Sequence, residues 1–132
     1  MGQYERRARE LVYERSNRIC EICSAARAHS AHHRLRVSQG GLWAATNLIH
    51  LCGHGTSGCH GMVHSGPRLG QLSGWLVKRG GYPATIPVYL TGPDGARYVW
   101  LGEDGSLRDA VTTSPLIADL LTARTAYLEG NA

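Results

Sequence analysis

Apolar residues recur at helical spacing from Gln3 to about Arg18, where Tyr4, Ala8, Leu11 and Val12, with Arg15, share one side of a basic amphipathic helix. Leu11 and Val12 are expected to face inward. Cys20-Glu21-Ile22-Cys23 follows as a tight knuckle. The pattern then shortens: AHHRLRV at 31–37 and NLIHLC at 47–52 read as strands of a long-looped β-hairpin, with Gly40-Gly41 in the turn region. Ser57 or Gly58 can cap a short helix carrying Cys59, His60 and His64, which Gly66-Pro67 stops. Isolated helices below about 12 residues are marginal in water, so something other than propensity must hold it, and metal ligation is the obvious candidate.

Leu69, Leu72, Trp75 and Leu76 predict another helix over 68–79. Residues 82–90 and 96–101 predict a hairpin through the turn Thr91-Gly92-Pro93-Asp94-Gly95, with Asp104-Gly105 as a further turn and 116–128 as a terminal helix. The fold class is therefore α+β. At 132 residues the chain is about one domain long, divided into a core over 1–67 and an α+β extension over 68–132 packed on the same domain.

Composition sharpens this picture. With 17 Gly and no Phe, hydrophobic burial alone leaves the fold marginal, and metal staples would help. Residues 1–36 hold eight Arg against four Glu, whereas the remainder balances six basic against six acidic residues, so the whole net charge of +4 lies in the N-terminal quarter. Such an excess suits a polyanion such as DNA, because guanidinium groups fork onto phosphates and release counterions. It is equally the pattern of a solvated helix face. No apolar run reaches the roughly 18 residues that span a bilayer, and MGQYERRARE lacks the apolar stretch of a secretory signal. The expectation is a soluble cytoplasmic protein with no membrane partner.

Four cysteines in a cytosolic chain point to zinc more than to disulfides. Cys20-x2-Cys23 with Cys52 and Cys59 suits a closed tetrahedral structural site. The second pair has six intervening residues where two to four are usual, and Gly53, Gly55 and Gly58 supply the flexibility to fold that loop back. The histidines are then free for a second ion. His60 and His64, four apart on a helix, can chelate one cation. His32 and His33 are adjacent on a strand and point to opposite sides, so only one of them joins that pair. The other stays unligated as a base, and spacing does not say which is which. His50 and His54 could each replace a cysteine at the structural ion, while His29 reads as a surface residue.

Cys20-x2-Cys23, His32-His33, Gly40-Gly41, Asn47-Leu48, Leu51-Cys52 and Cys59-His60-x3-His64, in that order, resemble the HNH (ββα-metal, His-Me finger) endonucleases over about residues 16–65. LCGHGTSGCHGMVHS, followed by GW and YPATIPV, is similar to the small HNH proteins of phages infecting actinobacteria. The resemblance implies a zinc-stapled ββα-metal core with an N-terminal helix and a small C-terminal helix/hairpin extension. It makes His32 a ligand of the catalytic cation with His60 and His64, and His33 the general base. Asn47 would hydrogen-bond across the hairpin loop to hold the His33 strand. Arg34 and Arg36, next on that strand, could contact phosphate.

The implied activity is hydrolysis of DNA phosphodiesters to 5′-phosphate and 3′-hydroxyl ends, with a structural Zn²⁺ and one catalytic divalent cation. Imidazoles suit Zn²⁺, Ni²⁺ or Mn²⁺, whereas cellular abundance favours Mg²⁺. DNA is the implied partner. The phage likeness adds terminase subunits, as in genome packaging, and a host cytoplasm. A zinc-finger module without catalysis, binding nucleic acid or proteins, is the alternative reading of the same residues.

Overall fold

The computed structural model of the chain describes residues 2–130. It is a mixed α+β structure with two small antiparallel sheets. Helix α1 (Gln3–Ser16) buries Ala8 and Val12, with Leu11 partly covered, and ends where Asn17 takes a left-handed φ of 51° that an asparagine tolerates. Tyr4, expected on the same stripe, is 82% exposed. Arg15 leaves α1 inward. Its guanidinium forks onto Glu21 at 2.9 and 2.8 Å and donates to the carbonyls of Ala45 and Leu48 at 2.9 and 2.6 Å. Glu21 also accepts from the backbone N–H of His50 at 2.9 Å. One buried, fully hydrogen-bonded ion pair thus ties α1 to the cysteine knuckle and to the second strand.

Strands β1 (Ser30–His33) and β2 (Leu48–Leu51) pair antiparallel, His32 opposite Ile49 and His33 opposite Leu48. The first strand is shorter than the expected 31–37. The Arg34 N–H still reaches the Asn47 carbonyl at 2.8 Å, but the Asn47 side chain then takes over the role of a partner strand for Leu35 and the chain enters a 3-10 turn at Val37–Gln39. Helix α2 (Gly58–Ser65) follows the hairpin, and α3 (Pro67–Leu72) follows α2 directly.

The expected helix over 68–79 stops at Ser73. Its hydroxyl donates back to Leu69 and Gly70, and Gly74 takes φ 75° against the Pro87 carbonyl, where a Cβ would collide. Trp75 is buried beyond the helix, its indole N–H donating to the Tyr89 carbonyl at 2.6 Å. The expected strand from 82 starts late, because prolines at 83 and 87 lack donors and a 3-10 turn occupies Pro83–Thr85. Strands β3 (Val88–Gly92), β4 (Gly95–Leu101) and β5 (Leu107–Asp109) form the second sheet. The last is a short exposed edge with no alternation to betray it. Helix α4 (Ser114–Leu128) is capped by Thr113.

One core cluster joins Cys20, Ile49, Leu51 and Val63 to Leu69, Trp75, Val88, Val99 and Leu120. It runs through both segments of the chain. A smaller cluster of Ala8, Val12, Ala45 and Leu48 lies under α1. Among the described residues no helix is long and apolar enough to cross a membrane.

Arg34 corrects the sequence reading outright. It is fully buried and touches no phosphate-accessible surface. Its guanidinium donates to the carbonyls of Gly74 (2.7 Å), Thr46 (2.8 Å), Pro83 (3.0 Å) and Ile86 (2.7 Å). Burial pushes its pKa down to about 9, with Arg15 adding to the effect, so the group stays charged at neutral pH. Carbonyl dipoles balance that charge in place of a carboxylate. Each buried carbonyl left unpaired costs about 1–3 kcal/mol. Arg34→Met is therefore expected to lower the unfolding free energy by about 3 kcal/mol or more, read by urea denaturation. Arg34→Lys should recover only part of it, since an ammonium has three donors and no fork.

Candidate metal centre

Among the described residues, two groups of side chains are so placed that each could hold a metal ion. The first is Cys20, Cys23, Cys52 and Cys59, whose sulfurs all lie within 4.8 Å of one another. All four are free thiols, and Cys23 and Cys52 stand 4.0 Å apart, too far for a disulfide of about 2.0 Å. That separation is close to the edge, about 3.8 Å, of a tetrahedron built on Zn–S bonds of about 2.3 Å. Backbone N–H groups of Ala25 and Cys59 point at the sulfurs of Cys23 and Cys52 at 3.5 and 3.4 Å. The long loop between Cys52 and Cys59 closes because Gly53, at φ 77°, packs where a Cβ would strike the Ser57 carbonyl. The cluster can hold a structural metal ion such as zinc.

A hydrogen bond from Cys59, working against burial, draws the Cys20 thiol down to about 4. The same Cys20 side chain, then burial, pushes Cys59 up, and burial pushes Cys52 up. One thiolate opposes the next until a cation is present to hold them all.

The second group is His32, His60 and His64, with ligand nitrogens again within 4.8 Å. His32 comes from β1, and His60 and His64 from consecutive turns of α2. The Nε2 atoms of His60 and His64 face each other at 3.1 Å, near the roughly 3.3 Å between two nitrogens on one tetrahedral zinc. His32 is buried, and its Nε2–H donates to the Trp75 carbonyl at 2.8 Å. That bond fixes the tautomer and leaves Nδ1 as the ligand atom, the usual way a backbone carbonyl orients a ligating imidazole. Burial, opposed by the Trp75 hydrogen bond and helped by the Coulomb field of neighbouring histidines, pushes His32 down to about 3; burial and neighbouring histidines push His60 down, and burial with Arg36 pushes His64 down. All three imidazoles are neutral near pH 7, the form that binds a cation.

His33 stands on the other face of β1. Its ring meets Trp43 edge to face, centroids 4.3 Å apart at 82°, and its Nε2 is buried without a hydrogen-bond partner. Burial, helped by Arg9 and opposed by Glu5, holds its pKa below the ordinary histidine value. Asn47 is buried, its Oδ1 accepting from Leu35 N–H at 2.8 Å and its Nδ2 donating to the carbonyls of Leu35 and Leu42 at 3.0 and 3.1 Å. Arg36 is exposed and close enough to act on His64.

Neither His50 nor His54 enters the cysteine cluster. His50 is buried, its Nδ1 2.8 Å from Ser16 Oγ and its ring stacked on Tyr13. His54 is exposed and leans toward the exposed His29. Three contributors were not visible as site residues in the sequence: the Trp75 carbonyl, Trp43, and Arg9, whose guanidinium lies 4.6 Å over the Trp43 ring. A backbone carbonyl has no sequence signature, and Trp43 lies in a loop without periodicity.

Comparison with protein-family models, curated proteins and solved structures returned no match.

Purified protein is expected to carry metal at both groups. His60→Ala should remove one equivalent by elemental analysis and leave the melting temperature nearly unchanged, whereas Cys20→Ser should lose the other and unfold the knuckle. Equal melting temperatures for the two variants would remove the structural role of the cysteines. Asn47→Ala, which strips two buried hydrogen bonds and one partly buried one, should cost about 2–4 kcal/mol in chemical denaturation.

Proposed function

We propose that this chain is a metal-dependent endonuclease of the HNH type, hydrolysing DNA phosphodiester bonds to 5′-phosphate and 3′-hydroxyl ends. The observation that carries the reading is the convergence of His32, His60 and His64 with one further histidine, His33, next along the same strand and outside the cluster. An antiparallel β1–β2 pair followed by α2, with ligands from β1 and α2, supports a ββα-metal core. The cysteine cluster beside it supports a structural zinc.

His32, His60 and His64 would hold the catalytic divalent cation, be it Mg²⁺, Mn²⁺, Ni²⁺ or Zn²⁺. Bound there, such an ion would supply Lewis-acid neutralisation of the phosphate charge. The chain's own residues do the rest. His33 is neutral near pH 7, and with Nε2 buried its Nδ1 is the nitrogen that can take a proton from water, as general base. Asn47 pins the segment after β1 and so limits how far His33 can swing. Arg36, exposed beyond the end of β1, is the remaining arginine of the pair for a phosphate contact, which positions DNA without reading its sequence. In the phage setting the enzyme would act in the host cytoplasm with terminase subunits during genome packaging.

A zinc module that binds nucleic acid or protein without cleaving is the competing reading. The contacts of His33 favour it to one degree: the ring faces Trp43, Arg9 and Glu5 instead of the three clustered histidines. A supercoiled-plasmid assay across Mg²⁺, Mn²⁺, Ni²⁺ and Zn²⁺, with chelator controls, separates the two. His33→Ala should slow cleavage by about 10² to 10⁴ with metal content unchanged. Wild-type cleavage by His33→Ala, together with loss of DNA binding in His60→Ala, would establish the zinc module instead.

A further inference from the structure

We propose that the groove between the first turns of α1 and the loop at 41–45 binds an unpaired nucleobase of the DNA substrate, a role that rests on the nuclease reading for its place beside the reaction. The groove has a volume of about 720 Å³ and is lined by Tyr4, Arg7, Leu11, Leu42, Trp43 and Ala45. Tyr4 is 82% exposed and Leu42 71%, so two large apolar side chains that line one groove stand largely in water. Scattered apolar residues need no explanation, but two that flank a groove with a tryptophan in its wall form a receptor for a flat apolar face.

Charge selects the occupant. The net +4 of the chain lies entirely in residues 1–36, and Arg6, Arg7 and Arg36 of that segment are exposed. Arg7 pairs with Glu10 only at 3.7 Å with both side chains more than half exposed, a weak bond that a phosphate can displace. Glu103 on the groove wall is the one acidic lining residue. Arg36 links the groove to the histidine strand: its carbonyl accepts from Gly41 N–H at 2.9 Å, and it lies just beyond His33 in the chain. Trp43 links it again, since the His33 ring rests on the Trp43 ring. A strand with its phosphate near His33 and Arg36 therefore passes the mouth of this groove. Aromatic rings interleaved with arginines take base faces and phosphates together, and a base offers its face only when unpaired.

The test uses the full chain with its metals and a fluorescein-labelled (dT)12 strand, compared with a duplex of equal length, without added divalent ion and with the oligonucleotide recovered intact. Tyr4→Ala and Leu42→Ala, both at exposed positions, should each weaken (dT)12 binding about tenfold and leave duplex binding and the melting temperature unchanged. Unchanged (dT)12 affinity in both variants overturns the proposal, as does an equal loss for strand and duplex. Sedimentation showing that the substitutions instead dissolve a dimer overturns it in favour of self-association. Absence of plasmid cleavage with every ion tried would defeat the nuclease reading while leaving this binding result standing, so the two fail separately.

Discussion

The guanidinium of Arg34 lies where three parts of the chain meet. It holds the carbonyls of Thr46, Gly74, Pro83 and Ile86, while its own backbone donates to Asn47 and accepts from Val77 N–H at 2.9 Å. A buried cation without a carboxylate is stable only where most of its donors are used, and four of the five N–H groups of this guanidinium reach a carbonyl, so the segments that supply the acceptors cannot drift independently. The consequence reaches the histidines. Gly74 and Val77, both bonded to Arg34, bracket Trp75, whose carbonyl orients His32. A residue that sequence pattern marks as a phosphate contact thus positions a candidate metal ligand from behind.

The two clusters are coupled in a similar way. Helix α2 is eight residues long, below the length at which a helix persists alone, and no side chain caps its N-terminus. What holds its start is the cysteine loop: Cys59 lies in the first turn, and His60 N–H donates to the Cys52 carbonyl at 3.1 Å. Adjacent residues therefore serve different groups, Cys59 the structural one and His60 the imidazole one. Closing the first fixes the rotation of the helix that presents the second. The Arg15–Glu21 pair extends the same framework to α1, since Glu21 sits between two cysteines of the knuckle and also binds β2.

The spacing of Cys20, Cys23, Cys52 and Cys59 was enough to group them, because ligand identity and separation are local properties of a sequence. The grouping of His60 and His64 followed from helical period, and the split of His32 from His33 from strand alternation. What escaped the sequence was tertiary. Alternating arginines in a predicted strand look the same whether they turn outward, like Arg36, or inward onto four carbonyls, like Arg34. The apolar run through Trp75 mimics a helix, yet Gly74 and the Tyr89 carbonyl recruit it to a different packing. β5 is an exposed edge whose pairing is decided by β4, so its own residues carry no pattern.

These contacts also change what the C-terminal half is for. Residues 74–86 supply the Trp75 carbonyl to His32 and three of the four acceptors of Arg34. Further along, Tyr127 of α4 bonds Ser65 at 2.8 Å at the end of α2, one residue from His64. A hairpin and short helix with two metal groups would lack the buried acceptor that selects the His32 tautomer and the brace at the far end of α2. The segment after residue 67 is therefore part of the site's support, and truncating it would disturb imidazole geometry before it touched any ligand.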